Sequence, residues 1–184
     1  MDRRIKKTLA RIYRGFGASL KEKDYSDISI EDILKKADVA RSTFYAHFKT
    51  KDEVLDSLLD NIFHHVFSHS LAQEETHDFS HESILDHKHL YTHILYHLRD
   101  EQELILTILS ASCRNRFLEE LKRLVRPLVE QTIHSGIFPG KDVPAELAIE
   151  GAANLFVTLV EYFFRDGCVM QPELATDYFF AMNQ

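Results

Sequence analysis

The stretch Arg41-Ser42-Thr43-Phe44-Tyr45-Ala46-His47-Phe48, continued by Lys49-Thr50-Lys51-Asp52-Glu53, decides the fold of this chain. Placed on a helix, Phe44 and Phe48 fall within about 40° of each other and point inward. Ser42, Thr43, Tyr45 and Ala46 then sweep the opposite side. That outer face is small, apart from Tyr45, and it offers hydroxyls. A major groove about 12 Å wide admits a helix with such a face. Arg41, in the first turn, is placed to bond a guanine edge or a phosphate. Thr50 and Glu53 make a capping-box pattern that starts the next helix. A helix N-terminus flanked by Lys49 and Lys51 suits a phosphate, because free N–H groups and positive charge point the same way.

Upstream, the chain builds a support for this segment. Ile5, Leu9, Ile12, Phe16 and Leu20 recur at steps of three or four, which predicts a first helix from about Arg3 to Lys21. Ser29 caps a second helix, with Asp32 in the capping-box position and Ile30, Ile33, Leu34 and Ala37 as its buried stripe. The third helix begins near Ala40. Two short helices joined by so tight a turn have the helix-turn-helix layout. Ser29 adds a second helix N-terminus beside the outer face. Small groups would then reach bases, while Tyr45 and the lysines hold the backbone.

The charge distribution agrees. Residues 1–55 hold 13 basic and 9 acidic side chains, a net of +4, and the rest hold 9 basic and 20 acidic, a net of −11. A basic head on an acidic body suits a head that meets a polyanion and a body that does not. No run of 18 consecutive apolar residues occurs, so no membrane span is expected. The basic N-terminus has no apolar signal core behind it, and a cytoplasmic protein is expected. Cys113 and Cys168 have no metal-type spacing to each other and are expected to be free thiols.

The segment from about Ile5 to Leu59 resembles the DNA-binding domain of the tetracycline-repressor (TetR) family of transcriptional regulators. The matching residues are Ile28-Ser29-Ile30-Glu31-Asp32-Ile33, Ala37-Asp38-Val39-Ala40, Ser42-Thr43-Phe44-Tyr45-Ala46-His47-Phe48, Lys51 and Leu55. Asp38 departs from the pattern, since glycine is usual in that turn, but Asp tolerates turn conformations. The resemblance implies a homodimer on a palindromic double-stranded DNA operator. It implies that Ser29, Tyr45 and Lys51 contact phosphates, and that Arg41, Ser42, Thr43, Ala46 and His47 lie where base or groove contacts are made.

The expected fold is all-α: a three-helix DNA-binding head over residues 1–50 and a helical effector-binding and dimerisation body over 51–184, about nine helices in total. The fourth helix should run to about Leu71, with a loop from Gln73 to His81. Further helices are expected at Ser83–Arg99, Gln102–Ser110 and Cys113–His134, the last kinked or broken near Arg126 by Pro127. After a loop from Gly136 to Pro144, an eighth helix from Ala145 to Arg165 is apolar nearly all round. With a ninth, Pro172 to Met182, it is expected to form a homodimer interface.

A small-molecule effector is implied for the body, with Phe117, Leu121, Leu124, Leu128, Phe156 and Leu159 as apolar walls and His93 as a polar group. Nine histidines, from His64 to His97, crowd into 34 positions, and His89, His93 and His97 share a helix face. Two histidines at i, i+4 can share a metal ion, but a site needs further converging ligands. No metal ligand set, cofactor or catalytic constellation is assigned. Three readings stand at this point: an organic-ligand-responsive repressor, a metal-responsive regulator built on the histidines, and an interaction adaptor that keeps the fold without binding DNA.

Overall fold

The computed structural model describes residues 3–68, 87–138 and 143–184. Among these the architecture is all-α, with no strand. In chain order come α1 (Arg3–Leu20), a 3-10 turn (Tyr25–Asp27), α2 (Ile30–Ala37), α3 (Arg41–Tyr45), α4 (Lys51–Ser68), α5 (His87–Asp100), α6 (Gln102–Ser110), α7 (Arg114–His134), α8 (Ala145–Arg165) and α9 (Pro172–Met182). The expected Gln73–His81 loop, the start of the fifth helix before His87, and His69, His77 and His81 lie outside the described residues.

Two compact units divide the chain. One comprises Met1–Ile62 with Glu103–Phe117, the other Phe63–Gln102 with Leu118–Gln184. Val54, Leu55, Leu58, Leu59 and Ile62 of α4 are buried, within the first of these units.

In the first unit α1 packs on α2. Ile12, Phe16 and Leu20 of α1 and Ile33, Leu34 and Ala37 of α2 are buried, joined by Phe44, Phe48 and the apolar face of α4. The stripe expected on α1 is inward only from Ile12 onward; Ile5 is exposed. Gly15 makes the crossing possible. A Cβ there would lie 2.6 Å from the Ala37 backbone nitrogen and 2.8 Å from the Ala37 Cβ. The helices therefore approach backbone to backbone, and Lys36 spans the same crossing by donating to the Ala18 carbonyl at 3.0 Å.

The second unit is built on aromatic packing. The Tyr91 ring lies 4.8 Å from Phe179 and 5.3 Å from Phe156, and these two are 5.2 Å apart. A cluster of hydrogen-bonded polar groups enters this core at Thr132. Thr132 Oγ1 donates to the Leu128 carbonyl at 2.7 Å, and both the Tyr91 hydroxyl and His87 Nδ1 lie 3.0 Å from that same oxygen. Because the single Thr132 proton is committed to Leu128, Tyr91 and His87 are the donors to it, which fixes the His87 proton on Nδ1. Burial pushes the Tyr91 phenol above its ordinary pKa. Thr92 donates to Thr176 at 2.9 Å, across α5 and α9.

Helix α7 corrects an expectation. It runs unbroken through Pro127. Pro127 is exposed, while Leu121, Val125 and Val129 on the opposite side are fully buried. Packing thus holds both halves of the helix together. Among the described residues, α8 alone is long and apolar enough to cross a membrane, despite Glu146, Glu150 and Glu161 within it, and 44% of its most apolar stretch is buried in the fold.

The Gly15 contact yields the first prediction. Gly15→Ala should force α1 and α2 apart and lower stability by about 2 kcal/mol or more, as overpacking of a tight core does. Gly17→Ala, whose Cβ would meet only the end of the Leu104 side chain at 3.2 Å, should cost much less, since that side chain can shift and alanine favours the helix. Thermal unfolding of the two variants checks this. Equal melting would mean that the crossing tolerates a methyl group.

Candidate nucleic-acid interface

Local chemistry fixes each element that presents the outer face. Ser29 caps α2 with a reciprocal box: Asp32 N donates to Ser29 Oγ at 3.2 Å, and Ser29 N donates to Asp32 Oδ2 at 2.9 Å. The Lys23 ammonium at 2.7 Å, with the Ser29 hydroxyl and N–H at 2.7 and 2.9 Å, holds the Asp32 carboxyl well below the ordinary range. At the other end of α2 the chain turns at Asp38, whose φ of 50° and ψ of 52° are left-handed. Asp is among the residues that tolerate this conformation. Arg11 of α1 reaches the same turn, donating through Nε to the Ala37 carbonyl at 3.2 Å and through its guanidinium to the carbonyl and carboxylate of Asp38. The orphan carbonyls at the end of α2 thereby gain a partner from α1.

The turn delivers α3, a helix of only five residues, extended by Ala46 and His47. Phe44 is fully buried and Phe48 nearly so, with their rings 5.9 Å apart. Arg41, Ser42, Thr43, Tyr45 and Ala46 are exposed and His47 is half-buried. The Tyr45 ring stands edge-on to Phe44 at 5.5 Å, with 47% of the residue open. The outer face therefore carries the residues expected from the sequence. Arg41, however, is paired with Glu31 of α2. Both side chains are more than 60% exposed, so the pair is worth only about 0–1 kcal/mol and is easily exchanged.

Lys51, expected as a phosphate contact, has three backbone partners in the protein. Its ammonium donates to the carbonyls of Tyr25 at 2.7 Å, Ser26 at 2.9 Å and Ile28 at 2.9 Å. It also lies 4.8 Å from the centre of the Tyr25 ring. The start of α4 is capped in part as expected: Glu53 N donates to Thr50 Oγ1 at 3.1 Å, but the Glu53 carboxylate accepts from Lys49 N at 2.6 Å rather than from Thr50.

The sequence reading missed the network beneath this corner. The Tyr25 hydroxyl donates to Asp52 at 2.6 Å, and Arg116 bridges Asp52, at 2.8 Å, and Asp56. Ser112 donates to Asp24 through both its backbone N–H, at 3.1 Å, and its hydroxyl. Partners 88 residues apart leave no local pattern to read. A signal did exist for the cations of α1: Arg3, Arg4, Lys6, Lys7 and Arg14 are all exposed, and their clustering is plain in the sequence.

Of the residues expected to line an effector cavity, Phe117 belongs to the first compact unit and the other six to the second. Leu121, Phe156 and Leu159 are buried, as is His93, whereas Leu124 and Leu128 are half-buried. The His93 and His97 rings are 4.3 Å apart. Among the described residues, no three His, Cys, Asp or Glu side chains are grouped to hold a metal ion.

Residues 18–58 match the family model described as "Bacterial regulatory proteins, tetR family". The uncharacterized HTH-type transcriptional regulator YxbF of Bacillus subtilis (strain 168) is 41% identical over 56 residues, 30% of this chain; the match spans only 15% of that protein's length. The crystal structure of a TetR transcriptional regulator from Streptococcus agalactiae 2603V aligns with a TM-score of 0.73 at 27% identity, covering 100% of this chain and 97% of the other. NalD of Pseudomonas aeruginosa, described as the secondary repressor of the MexAB-OprM multidrug efflux pump, shares the fold, with a TM-score of 0.63 at 15% identity over 97% of this chain and 96% of its own.

The buttressing carboxylates predict acid sensitivity. Hydrogen bonds from Ser112 and Ser26 lower Asp24 to about 2, and Tyr25 with Arg116 lowers Asp52. A depressed folded-state pKa means that the unfolded chain binds protons first. The stabilisation is complete above the unfolded value near 4 and is lost as pH falls toward 2. The melting temperature should therefore drop between about pH 5 and pH 2, and Asp24→Asn should flatten part of that drop. An unchanged pH profile in the variant would remove Asp24 from the account.

Proposed function

We propose that this chain, which belongs to the tetR family of bacterial regulatory proteins, is a DNA-binding transcriptional repressor that grips a palindromic operator as a homodimer. The observation that carries this reading is the outer face of α3. Ser42, Thr43 and Ala46 form a small, exposed surface on a helix pinned from behind by Phe44 and Phe48. Such a surface has no packing purpose in the monomer and the right size for base edges. Arg41 can leave Glu31 for a guanine or a phosphate, and His47 sits at the groove edge. Tyr45 and the α2 N-terminus at Ser29 hold phosphates from either side, Ser29 exchanging its hydroxyl bond to Asp32 for the phosphate, and the exposed cations of α1 add sequence-independent attraction. In this reading residues 1–50 form the DNA-binding head and 51–184 the regulatory body.

The dimer is proposed through α8 and α9. Leu174, Tyr178 and Met182 repeat every four residues on α9 and are all exposed, as are Leu147 and Tyr162 on α8. Gly151, Asn154 and Thr158 lie exposed between the last two and would let a partner helix approach closely. Phe156 and Phe163 are fully buried within their own unit, so they support the face rather than form it.

An organic effector is proposed to enter the second unit near His93, a nearly buried polar side chain on a helix whose neighbours Ile94 and Leu95 are core residues. Binding there would shift the spacing of the two heads and release the operator. The chemistry of that effector follows only from a polar group in apolar surroundings.

Selection from random duplexes at low salt should enrich one palindromic site, with affinity falling steeply as salt rises. Ser42 and Thr43 variants should change the preferred sequence, while Tyr45→Phe should weaken all sequences alike. No enriched site would defeat the DNA reading. Light scattering should give a dimer at micromolar concentration. Tyr178→Asp should give a folded monomer, because the buried charge would lack a partner only in the dimer. A wild-type monomer, or a Tyr178→Asp dimer, would rule out this interface.

A further inference from the structure

We infer that Lys51 is a positioning residue rather than a phosphate ligand: it staples the segment that presents the cap of α2 to the start of α4. The inference rests on the proposed DNA-binding reading of this corner and assigns one of its residues a different task.

The donor count carries the argument. A lysine ammonium has three N–H donors and no acceptor. The Lys51 ammonium faces three carbonyls, those of Tyr25, Ser26 and Ile28, at 2.7, 2.9 and 2.9 Å. All three protons are engaged. These carbonyls lie in and just after the 3-10 turn, where backbone acceptors outnumber local donors. Tyr25 O also takes the Ile28 N–H at 3.3 Å, using its second lone pair. Any phosphate drawing a proton from Lys51 would strip one carbonyl in a half-buried corner of its partner.

The next residue reinforces the clasp. Asp52 accepts the Tyr25 hydroxyl at 2.6 Å, and the Lys51 ammonium lies over the Tyr25 ring at 4.8 Å. Two successive residues at the start of α4 thus hold Tyr25 by its carbonyl, its ring and its hydroxyl. Ile28, the last carbonyl in the staple, directly precedes Ser29. Lys51 therefore sets where the N-terminus of α2 stands relative to α3 and α4. Lys49, exposed two residues earlier, is the lysine at this corner left to meet a phosphate.

Charge and geometry separate the two roles. A phosphate contact depends on charge, so arginine would serve. Three carbonyls converging on one point suit a compact ammonium and not a planar guanidinium. Full-length Lys51→Met, Lys51→Arg and Lys49→Met are compared with wild type on one duplex, well below every melting temperature, across a range of salt. Hydrogen exchange of the DNA-free proteins is measured in parallel. As a positioning residue, Lys51 replaced by either Met or Arg should cost about ten-fold or more in affinity. The slope of log affinity against log salt should stay unchanged. The amides of residues 25–33 should exchange faster without DNA. Lys49→Met should instead flatten the slope by about 0.9 for each phosphate it no longer neutralises and leave exchange unaltered.

Lys51→Arg binding as wild type while Lys51→Met flattens the slope would overturn the inference and restore a phosphate contact. Unchanged exchange at residues 25–33 in both Lys51 variants would overturn it as well. Faster exchange with unaltered DNA affinity would reduce Lys51 to a merely structural role and also overturn it. If wild type binds no duplex, the DNA reading fails by itself, and the inference falls with it as a statement about DNA recognition.

Discussion

The approach of α1 to α2 at Gly15 is the constraint on which the DNA-facing half of the molecule depends. Only a residue without a Cβ lets the Ala37 backbone come so near. That contact sets the height of α2 on α1, and with it the reach of Arg11 to the carbonyls of Ala37 and Asp38. The left-handed turn at Asp38 then sends α3 outward at a fixed angle. A five-residue helix has no stability of its own, because nucleation costs more than its few bonds return. Its geometry is borrowed from Gly15, Arg11 and the two buried phenylalanines. The same logic explains a departure from the family pattern. Asp38 accepts the strained conformation that glycine would take without cost, and its carboxylate gains the Arg11 guanidinium.

What could be read from sequence was local. The capping box at Ser29, the inward pair Phe44 and Phe48 and the limits of α6, α7, α8 and α9 all depend on residues within a few positions of each other, and periodicity reports such contacts directly. The exposure of Ser42, Thr43 and Tyr45 followed from the same wheel. What was not legible depends on distant partners. Nothing around Lys51 announces three carbonyls more than twenty residues upstream, and its position beside Lys49 suggested a phosphate instead. On α7, Leu124 and Leu128 were expected as apolar walls of an effector cavity, and both are half-buried. Burial went to Val125 and Val129, one position on, which continue the i+4 line from Leu121. Pro127 misled for a related reason: a proline on the solvent side removes one bond, and the packed side of the helix makes up the loss.

The two units also differ in how polarity is managed. The first is held at its surface by ion pairs and short side chain–backbone bonds, as at Lys36, Asp24 and Arg116. The second has surface ion pairs too, such as Lys88 with Asp177 and Lys122 with Glu150, and in addition buries a hydrogen-bonded cluster in which Thr132 serves both Tyr91 and His87. Surface ties are individually weak and exchange readily with solvent, whereas a buried hydroxyl left without its partner is destabilising by about 1–3 kcal/mol. In the proposed complex, surface ties of the first unit would be exchanged for contacts with the polyanion.

Arg41 and Glu31 show how that trade favours a nucleic acid. In the free protein the pair holds the guanidinium on the outer face of α3 rather than letting it roam. Breaking it costs no more than about 1 kcal/mol, since both groups stay solvated. A bidentate bond to a guanine edge contributes about 1–3 kcal/mol of discrimination. In the proposed complex, this balance would favour transfer of Arg41 to a matching base and give little incentive where the base is wrong. Glu31 would then lie near the groove as an uncompensated carboxylate and repel phosphates brought too close. An acidic residue beside the proposed base-reading helix would thus weaken non-specific binding more than specific binding, because only a specific complex would offer Arg41 a partner better than Glu31.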